Sequence, residues 1–497
     1  MYVNLGSLLQ ASTALRPDHV AIRLGDRSVT YGALDRAARG IAASLRARGL
    51  APGDKVALLI PNVPEFSMAY FGALYAGCTL VPLNVLLSAA EVQYHLEDSG
   101  AKLLLAHPFF PAASKQGAEA AGVPVLWTNG EGDDVLTALA ENEPLRALHP
   151  TLATDTAVIL YTSGTTGKPK GAELTHANLL LNCTVVAGRL VPLDADDVAL
   201  ATLPFFHSFG QSCIQNAVLA AGGSFTLLPR FDAEEALQIM ERDRVTRFAG
   251  VPTMYFAMLH HQGSREYDLS ALRWCFSGGA PMPVEVMSAF EAKYPVKILE
   301  GYGLSETSPV ASFNVLDRPR KPGSIGYPVW GVEMAILGED DQPLPDGEQG
   351  EICVRGHNVM KGYLGRPEAT KEAMRGGWFH TGDIGRRDAD GAYWIVDRKK
   401  DMILRGGFNV YPREVEEVLY AHPAIVEAAV IGVPHESHGE EVKAFVVSSD
   451  PQLTAEEVIA YSKQRLAAYK YPRIVEFSQG LPKGATGKIL KRALREA

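Results

Sequence analysis

The sequence predicts an α/β protein with a large first part and a small α+β tail. Short apolar runs, typical of strands buried on both faces, alternate with helical patterns in the first half: 55–60 is apolar, 64–75 is helical, and 79–82 is apolar again. This rhythm favours parallel-rich sheets covered by helices, in several subdomains. From Gly350, β patterns separated by Gly, Asp and Asn predict a β-barrel-like part.

Each element is predicted from local signals. The first long helix, at 30–48, has apolar residues at helical spacing and stops before Gly49. Thr454 and Glu457 form a capping box that starts the last helix of the tail. Other helices are predicted at 64–75, 91–99 and 413–420. Strands are predicted at 55–60, 79–82, 102–106, 157–161, 199–203, 224–228, 247–250, 297–300, 351–354, 393–396, 426–431 and 442–447.

A cluster of charged residues at 397–401 separates the two parts of the chain. The tail that follows has about 97 residues, which is enough for a small independent domain. We therefore predict a body at 1–399 and a C-terminal domain at 400–497.

The composition narrows the class of protein. The chain has 497 residues, of which 47% are apolar and 21% charged, as in ordinary globular proteins. A net charge of −10 disfavours nucleic acid or an anionic membrane as a partner. Five scattered cysteines form no CxxC pair, so neither a zinc site nor a disulfide framework is indicated. Because no signal peptide is evident and Gly, Pro and Asn interrupt the most apolar stretch, at 71–87, we expect a cytoplasmic protein without a transmembrane segment.

A loop in the first half is dense in hydrogen-bond donors. Every position from Thr162 to Gly167 is Gly, Ser or Thr, and lysines follow at Lys168 and Lys170. Such a loop can bind phosphate through backbone N–H groups, hydroxyls and positive charge. It is not a Walker A loop, because only two residues separate its glycines and a proline follows the first lysine. We predict that it joins two strands, with a helix starting near His176; alone, it is also compatible with a turn that binds nothing.

The loop YTSGTTGKPKG resembles the signature loop of the adenylate-forming superfamily, which comprises acyl-CoA synthetases, luciferases and the adenylation domains of peptide synthetases. Further motifs of that family follow in its order across nearly the whole chain: SGGAP, EGYGLSE, WFHTGD, GGFN and PKGATGK. Ser305 stands where the family usually has Thr, and either hydroxyl can donate to a phosphate. The resemblance implies ATP, Mg²⁺ and CoA as cofactors and co-substrates, and a C-terminal lid that moves on a hinge.

Residue roles carried over from the resemblance cover the whole reaction. It implies that Lys488, Glu306 and Lys400 are the catalytic set, with Lys488 as the catalytic lysine, Glu306 as the Mg²⁺ ligand and Lys400 at the hinge. ATP or AMP binding is implied for Thr162, Ser163, Gly164, Thr165, Thr166, Gly167, Lys168, Lys170, Gly279, Ala280, Pro281, Glu300, Gly301, Tyr302, Gly303, Ser305, Asp383, Ile395 and Arg398. In one lid orientation, the thiol acceptor is implied to face Gly406, Gly407, Phe408 and Asn409. Taken alone, Glu306 and Lys488 would be typical of solvated surface charges.

The family's chemistry suits these residue types. A carboxylate must first become a mixed anhydride with AMP, and its attack on the α-phosphate brings two anions together. At ~4 Å and an effective dielectric of ~20, each pair of unit charges repels by roughly 4 kcal/mol. A lysine between the two anions offsets this repulsion, while Mg²⁺ and the phosphate loop stabilise the departing pyrophosphate. No nucleophile on the enzyme is needed, and the chain has no G-x-S-x-G motif.

The matching acyl-pocket positions are mostly apolar or small: His207, Phe209, Ser212, Val251, Gly279, Pro309 and Val310. No cation for a dicarboxylic acid is evident among them, which favours a fatty or aryl-alkyl acid. Each of these residues is also compatible with ordinary core packing, and His207 with either a gate for the thiol or a packed side chain.

We therefore predict an AMP-forming acyl-CoA synthetase, a ligase that uses a small carboxylic acid, ATP and CoA. The chain has no carrier domain after Lys488, which favours a stand-alone enzyme. An acyl carrier protein stays open as the acceptor, and a homodimer stays open as well. A non-catalytic ATP-binding regulator is the alternative from another class, but it predicts the loss of Lys488 or Glu306. The loop spacing disfavours a P-loop kinase, and nothing in the sequence favours a luciferase-like oxygenase.

Charge is distributed unevenly along the chain. Residues 463–497 carry +7, which leaves −17 for residues 1–462. We predict that this positive charge lies on the lid, where it meets ATP and then a phosphorylated thiol carrier.

Overall fold

The fold is built on two large sheets, a smaller antiparallel sheet and a C-terminal α+β part. A computed structural model describes residues 2–130, 135–162, 168–261, 263 and 266–496. Its strands are β1 (Val20–Leu24), β2 (Arg27–Thr30), β3 (Lys55–Leu59), β4 (Thr79–Pro82), β5 (Leu103–Ala106), β6 (Val125–Trp127), β7 (Thr156–Thr162), β8 (Lys170–Thr175), β9 (Val198–Ala201), β10 (Ser224–Leu227), β11 (Arg247–Gly250), β12 (Trp274–Ser277), β13 (Lys297–Gly303), β14 (Val310–Phe313), β15 (Tyr327–Pro328), β16 (Val332–Leu337), β17 (Gly350–Gly356), β18 (Gly362–Tyr363), β19 (Phe379–Arg387), β20 (Tyr393–Arg398), β21 (Ile403–Arg405), β22 (Phe408–Val410), β23 (Ile425–His435), β24 (Gly439–Ser448) and β25 (Ile474–Phe477).

Helices cover the sheets and follow the strands in the predicted rhythm. They are α1 (Ser7–Leu15), α2 (Tyr31–Ala47), α3 (Pro64–Ala76), α4 (Ala89–Ser99), α5 (Pro111–Ala121), α6 (Leu136–Leu139), α7 (His176–Val185), α8 (Ala217–Ala221), α9 (Ala233–Arg242), α10 (Pro252–Leu259), α11 (Val284–Lys293), α12 (Pro367–Ala373), α13 (Pro412–Tyr420), α14 (Ala455–Lys463) and α15 (Lys491–Glu496). Two segments, Val186–Leu190 and Phe209–Asn216, are π-helical, and Ser305–Thr307 and Arg375–Gly377 are 3₁₀ turns.

The two large sheets have parallel centres and antiparallel edges. The nine-stranded sheet has the order β15-β14-β13-β12-β11-β9-β10-β1-β2, and its strands from β13 to β1 are parallel. The seven-stranded sheet has the order β18-β8-β7-β4-β3-β5-β6, with β7 to β6 parallel. Helix α3 is buried on every face, as expected of a helix that is apolar all round. Its one carboxylate, Glu65, pairs with Arg27 at 2.7 Å.

The rest of the chain forms two smaller sheets. Strands β16, β17, β19 and β20 make a four-stranded antiparallel sheet. It lies where a β-barrel-like part is predicted after Gly350, but it begins earlier, at Val332, and it is an open sheet because β16 and β20 are its two edges. Beyond it, β22-β21-β24-β23 form a sheet to which β25 adds in parallel. Helices α13 and α14 cover this last sheet over a hydrophobic core of its own, which includes Val415, Val442 and Val458.

The predicted fold class is confirmed, and the predicted elements lie close to the observed ones. The phosphate loop joins two strands, as predicted, because β7 and β8 form an antiparallel hairpin in which Thr162 pairs with Lys170. Thr454 caps α14 through the predicted capping box with Glu457. Strands β23 and β24 extend beyond the predictions at 426–431 and 442–447, because their polar ends pair across the hairpin near His435. In the described part of the chain, no helix combines the length and hydrophobicity needed to cross a membrane.

Candidate active site

A cavity of about 590 Å³ lies between the body and the C-terminal part, at the carboxyl ends of β11, β12 and β13. In open parallel sheets this edge is where ligands bind. Its floor is glycine-rich backbone. Gly303 is needed there, because a Cβ at this position would lie 1.9 Å from the carbonyl oxygen of Pro309. Gly279 has φ +80°, and a Cβ on it would lie 3.0 Å from Lys488 Cε.

The predicted nucleotide residues that line this cavity come from both sheets and the C-terminal part: Thr162, Lys170, Gly279, Gly301, Tyr302, Gly303, Ser305, Glu306, Asp383, Arg398 and Lys488. The predicted phosphate-loop positions Ser163, Gly164, Thr165, Thr166 and Gly167 lie outside the described residues. Lys168 lies over the Tyr94 ring and lines a neighbouring cavity with Lys170. Folding therefore brings together motifs that are more than 300 residues apart in the chain.

Glu306 is the acidic centre of the phosphate end of the cavity. Its Oε1 accepts hydrogen bonds from the Thr162 hydroxyl at 3.0 Å and the Tyr363 hydroxyl at 3.1 Å. The carboxylate is 8% exposed, and the Lys170 ammonium lies over the Tyr363 ring. A carboxylate oxygen backed by hydroxyls is the hard donor set that Mg²⁺ prefers, so the residues present fit this ion.

Asp383 lies at the opposite wall, in β19. Its Oδ2 accepts a short hydrogen bond of 2.6 Å from the Tyr302 hydroxyl, and its Oδ1 lies 3.2 Å from Arg398 Nε. Burial raises the pKa of Asp383, while Arg398, Tyr302 and Lys488 oppose the rise. The carboxylate is thus fixed in direction at the cavity surface, where it can accept from neighbouring hydroxyls.

The segment of β19 that carries Asp383 is held in place by Glu351 of strand β17, a residue that sequence analysis missed. Glu351 Oε1 accepts from the Gly382 N–H at 2.9 Å, and its Oε2 lies 3.2 Å from His380 Nδ1. Arg375 pairs with the same carboxylate at 3.4 Å. Glu351 begins a predicted strand, and no local pattern shows that its side chain reaches a turn about 30 residues later.

Lys488 enters the cavity on a loop of the C-terminal part. The loop is held by the Thr253 hydroxyl, which donates to the Gly487 carbonyl at 3.0 Å. Burial, followed by the charge of Arg398, lowers the pKa of Lys488 to about 8, and Asp383 partly opposes this. The lysine therefore lies beside Gly279 in the cavity, close enough to Asp383 and to His207 for its charge to shift the pKa of both.

The apolar end contains some of the predicted acyl-pocket residues. His207, Phe209, Gly279, Pro309 and Val310 line the cavity. Burial and the Lys488 charge lower the pKa of His207 to about 3, so its imidazole is neutral at physiological pH. This favours a packed or gating ring over a cationic one.

Two predicted acyl-pocket residues do not line the cavity. Ser212 is fully buried in the π-helical segment Phe209–Asn216, and its neighbour Cys213 lines the cavity. Val251 is packed between two glycines: its methyl groups lie 3.5 and 3.0 Å from where Cβ atoms of Gly279 and Gly487 would stand. The acyl-pocket roles of Ser212 and Val251 stay predictions, and the structure places both residues beside the cavity and not in its lining.

Several predicted nucleotide residues also lie outside the cavity lining, namely Ala280, Pro281, Glu300 and Ile395. Glu300 points into the body, where its oxygens accept from the N–H groups of Met282 at 3.3 Å and Gly323 at 3.2 Å. Burial raises the pKa of Glu300 to about 7. Its observed contacts are with backbone that supports the SGGAP turn.

The predicted hinge residue lines the cavity, whereas the residues predicted to face the thiol lie outside its lining. Lys400 is exposed and lines the cavity mouth. Gly406, Gly407, Phe408 and Asn409 form the exposed tip of the β21–β22 hairpin, outside the cavity lining. The observed orientation therefore presents Lys488, not this hairpin, to the cavity.

Sequence analysis missed a group of cavity residues deeper in the body. They are Val186, Leu190, Val191, Leu193, Ala199, Cys213, Ile214, Val218, Arg247, Ala249, Phe276 and Phe313. Ala199, Arg247 and Ala249 belong to predicted strands, and only the packing of the sheet against two π-helical segments reveals that a cavity runs between them.

The fold and this cavity define an enzyme of the adenylate-forming type, and comparisons agree. A family model described as AMP-binding enzyme matches residues 9–364, and one described as its C-terminal domain matches residues 414–488. The chain belongs to the AMP-binding enzyme family.

Relatives match over nearly the full length. The chain is 39% identical to a long-chain-fatty-acid–CoA ligase of Bacillus subtilis (strain 168), covering 99% of this chain and 94% of that protein. It is 42% identical to a feruloyl-CoA synthase of Amycolatopsis sp., covering 99% and 98%. ATP-bound MatB from Rhodopseudomonas palustris matches with a TM-score of 0.92 and 35% identity, covering 100% of this chain and 99% of that one. These matches confirm the predicted enzyme class, an AMP-forming acyl-CoA ligase, for which ATP, Mg²⁺ and CoA are the expected reactants and cofactor.

Proposed function

We propose that this protein converts a fatty or aryl-alkyl carboxylic acid into its CoA thioester in two steps at one cavity. The acid and ATP first give an acyl-adenylate and pyrophosphate; CoA then displaces AMP. The position of Lys488 carries the proposal: it stands between Asp383 and the apolar end of the cavity, where a carboxylate and an α-phosphate would meet.

In the adenylation step, the main task is to bring two anions together. The Lys488 ammonium can bridge the acid and the α-phosphate, which offsets a repulsion of roughly 4 kcal/mol per pair of unit charges at ~4 Å. Asp383, oriented by Tyr302 and Arg398, accepts from the ribose hydroxyls. Glu306 would hold Mg²⁺, which neutralises charge on the phosphates when bound. Thr162 and Tyr363 orient the Glu306 carboxylate for this role.

For the thioester step, Lys488 must leave so that a thiol can approach. We propose that the C-terminal domain, residues 400–497, turns about Lys400 and brings the hairpin at 406–409 to the cavity. The exposure of this hairpin supports a surface that is used in another orientation.

The proposal also covers the thiol acceptor, the compartment and the oligomeric state. CoA is the proposed thiol, and a carrier-protein pantetheine is the alternative with the same reacting group. We propose the cytoplasm as the compartment, because all five cysteines are free thiols. Either a monomer or a homodimer accommodates the proposal, since one chain supplies the described residues that line the cavity. Light scattering with mass determination will decide between them.

The test is ATP-dependent pyrophosphate release across a panel of carboxylic acids, with CoA and a pantetheinylated carrier protein as separate acceptors. We expect release with apolar acids, and thioester formed on CoA. Thioester formed only on the carrier protein would support the alternative acceptor. Pyrophosphate release with none of the acids, despite ATP binding, would support a non-catalytic regulator.

A further inference from the structure

The acyl end of the cavity extends into the body as far as a buried arginine. Arg247 is the first residue of β11 and lines the cavity. Val251, four residues later, packs against the Gly487–Lys488 loop at the reacting end. Since a strand rises by about 3.3 Å per residue, the two positions are about 13 Å apart. The cavity is thus a channel of substrate length with Arg247 at its inner end.

The channel exists because small residues on the sheet face wide helical turns. Ala249 and Ala199 line it from β11 and β9, and Ala199 pairs in register with Arg247. Opposite them, the two π-helical segments contribute Val186 and Cys213. Single π-helical turns inside helices are frequent at functional sites. Apart from Arg247, this stretch of the channel is apolar.

Arg247 is fixed in place but keeps unused donors. Its Nη1 donates to the Val191 carbonyl at 3.0 Å and its Nη2 donates to the Pro192 carbonyl. Its Nε lies 2.8 Å from Asp197 Oδ1, so this N–H is committed to the ion pair. A guanidinium has five N–H donors, so the two carbonyls and Asp197 leave two Nη hydrogens available at a side chain that is 6% exposed.

The charge of Arg247 is partly compensated locally, because Arg247 shares the single carboxylate of Asp197 with Arg273. Asp197 is fully buried and pairs with Arg273 at 2.5 Å as well as with Arg247, and it accepts from the Thr246 hydroxyl at 2.7 Å. Arg273 is half-exposed and does not line the cavity. A second carboxylate at the channel end would be repelled by Asp197 while it is attracted by Arg247. A neutral acceptor would accept a hydrogen bond from an N–H group in a dry surrounding without that repulsion.

We propose that Arg247 is a specificity-determining residue that donates a hydrogen bond to a neutral acceptor, such as a hydroxyl, ether or carbonyl oxygen, at the distal end of the acid. This inference rests on the proposed function and narrows its substrate class from apolar acids in general to apolar acids with an uncharged polar end. A channel that donates a hydrogen bond to this polar group rejects an acid without such a group, because the buried donor is then left unpaired.

The experiment compares matched acids that differ only at the distal end. They are octanoate, ω-hydroxyoctanoate and octanedioate, and phenylpropanoate with its para-hydroxy derivative. The measured quantity is kcat/KM for pyrophosphate release by the wild type, Arg247→Met, Arg247→Lys and the control Arg273→Met. The control removes the other arginine of Asp197 without removing a donor from the channel.

In the wild type, we expect at least one hydroxy acid to exceed its unsubstituted partner by about tenfold or more, the usual effect of a hydrogen bond to a charged group. Arg247→Met should bring this ratio close to one, Arg247→Lys should reduce it, and Arg273→Met should keep it. A ratio near one in the wild type overturns the inference, even where a variant fails to fold. So does a preference for octanedioate over the hydroxy acid, or an equal loss of the ratio in Arg273→Met. Turnover of any acid in the panel upholds the proposed function independently of this ratio.

Discussion

The replacement Lys488→Ala separates the two half-reactions. In the observed orientation, the Lys488 side chain reaches the cavity wall at Gly279, and its charge lowers the pKa of both Asp383 and His207. If its ammonium screens one pair of unit charges at ~4 Å in a site of effective dielectric ~20, its loss raises the adenylation barrier by roughly 4 kcal/mol. Since 1.36 kcal/mol is tenfold in rate, we expect a loss of about 10³-fold in adenylation.

The thioester step should change far less. The proposed rotation removes Lys488 from the cavity before the thiol attacks, so its side chain contributes little to that step. Adenylation is measured as pyrophosphate release from ATP and acid, and the thioester step as product formed from supplied acyl-adenylate and CoA. Lys483→Ala is the matched control, because Lys483 lies on the same segment but pairs with Glu427 within the C-terminal part. An equal loss in both half-reactions of the Lys488 variant would refute the reasoning.

Three further predictions follow from the same geometry. Because burial and Arg398 lower the pKa of Lys488 to about 8, its charge is present below that pH and lost above it. We therefore expect kcat/KM for ATP to fall above about pH 8, and Lys488→Arg to move this fall to higher pH. An unchanged pH profile in the variant contradicts the assignment. Lys400→Pro should stiffen the hinge and slow the thioester step more than adenylation; unchanged rates of both half-reactions count against the hinge. Glu351→Ala should raise KM for ATP by about tenfold, because the variant loses the charged group that accepts from the Gly382 N–H. Glu351→Gln keeps an acceptor oxygen and should retain most of the ATP binding. Equal effects of the two variants contradict the positioning role.

Sequence reasoning worked best where function depends on backbone and short motifs. The hairpin at Thr162–Lys170, the glycine-rich turns and the order of motifs were all readable, because glycine and hydroxyl residues carry information about loops. The sequence does not show in which direction a side chain points. Ser212 and Glu300 are both predicted site residues, but the structure places neither in the cavity lining, and Glu300 instead accepts from the Met282 N–H. Arg247 and Glu351 act over long sequence separations, through contacts that no local pattern contains.

The positive charge predicted for the C-terminal part has a more specific use than the sequence suggested. Four of its basic residues are already ion-paired within the described chain: Lys470 with Glu414, Lys483 with Glu427, Lys491 with Glu416, and Arg495 with Asp401. These pairs hold the C-terminal part together and leave little of their charge for a polyanionic partner. Lys488 differs, because it faces the cavity and lies near Asp383 without a salt bridge among the described residues. The C-terminal part thus combines ion-paired basic residues with one lysine that faces the cavity, as the proposed adenylation step requires.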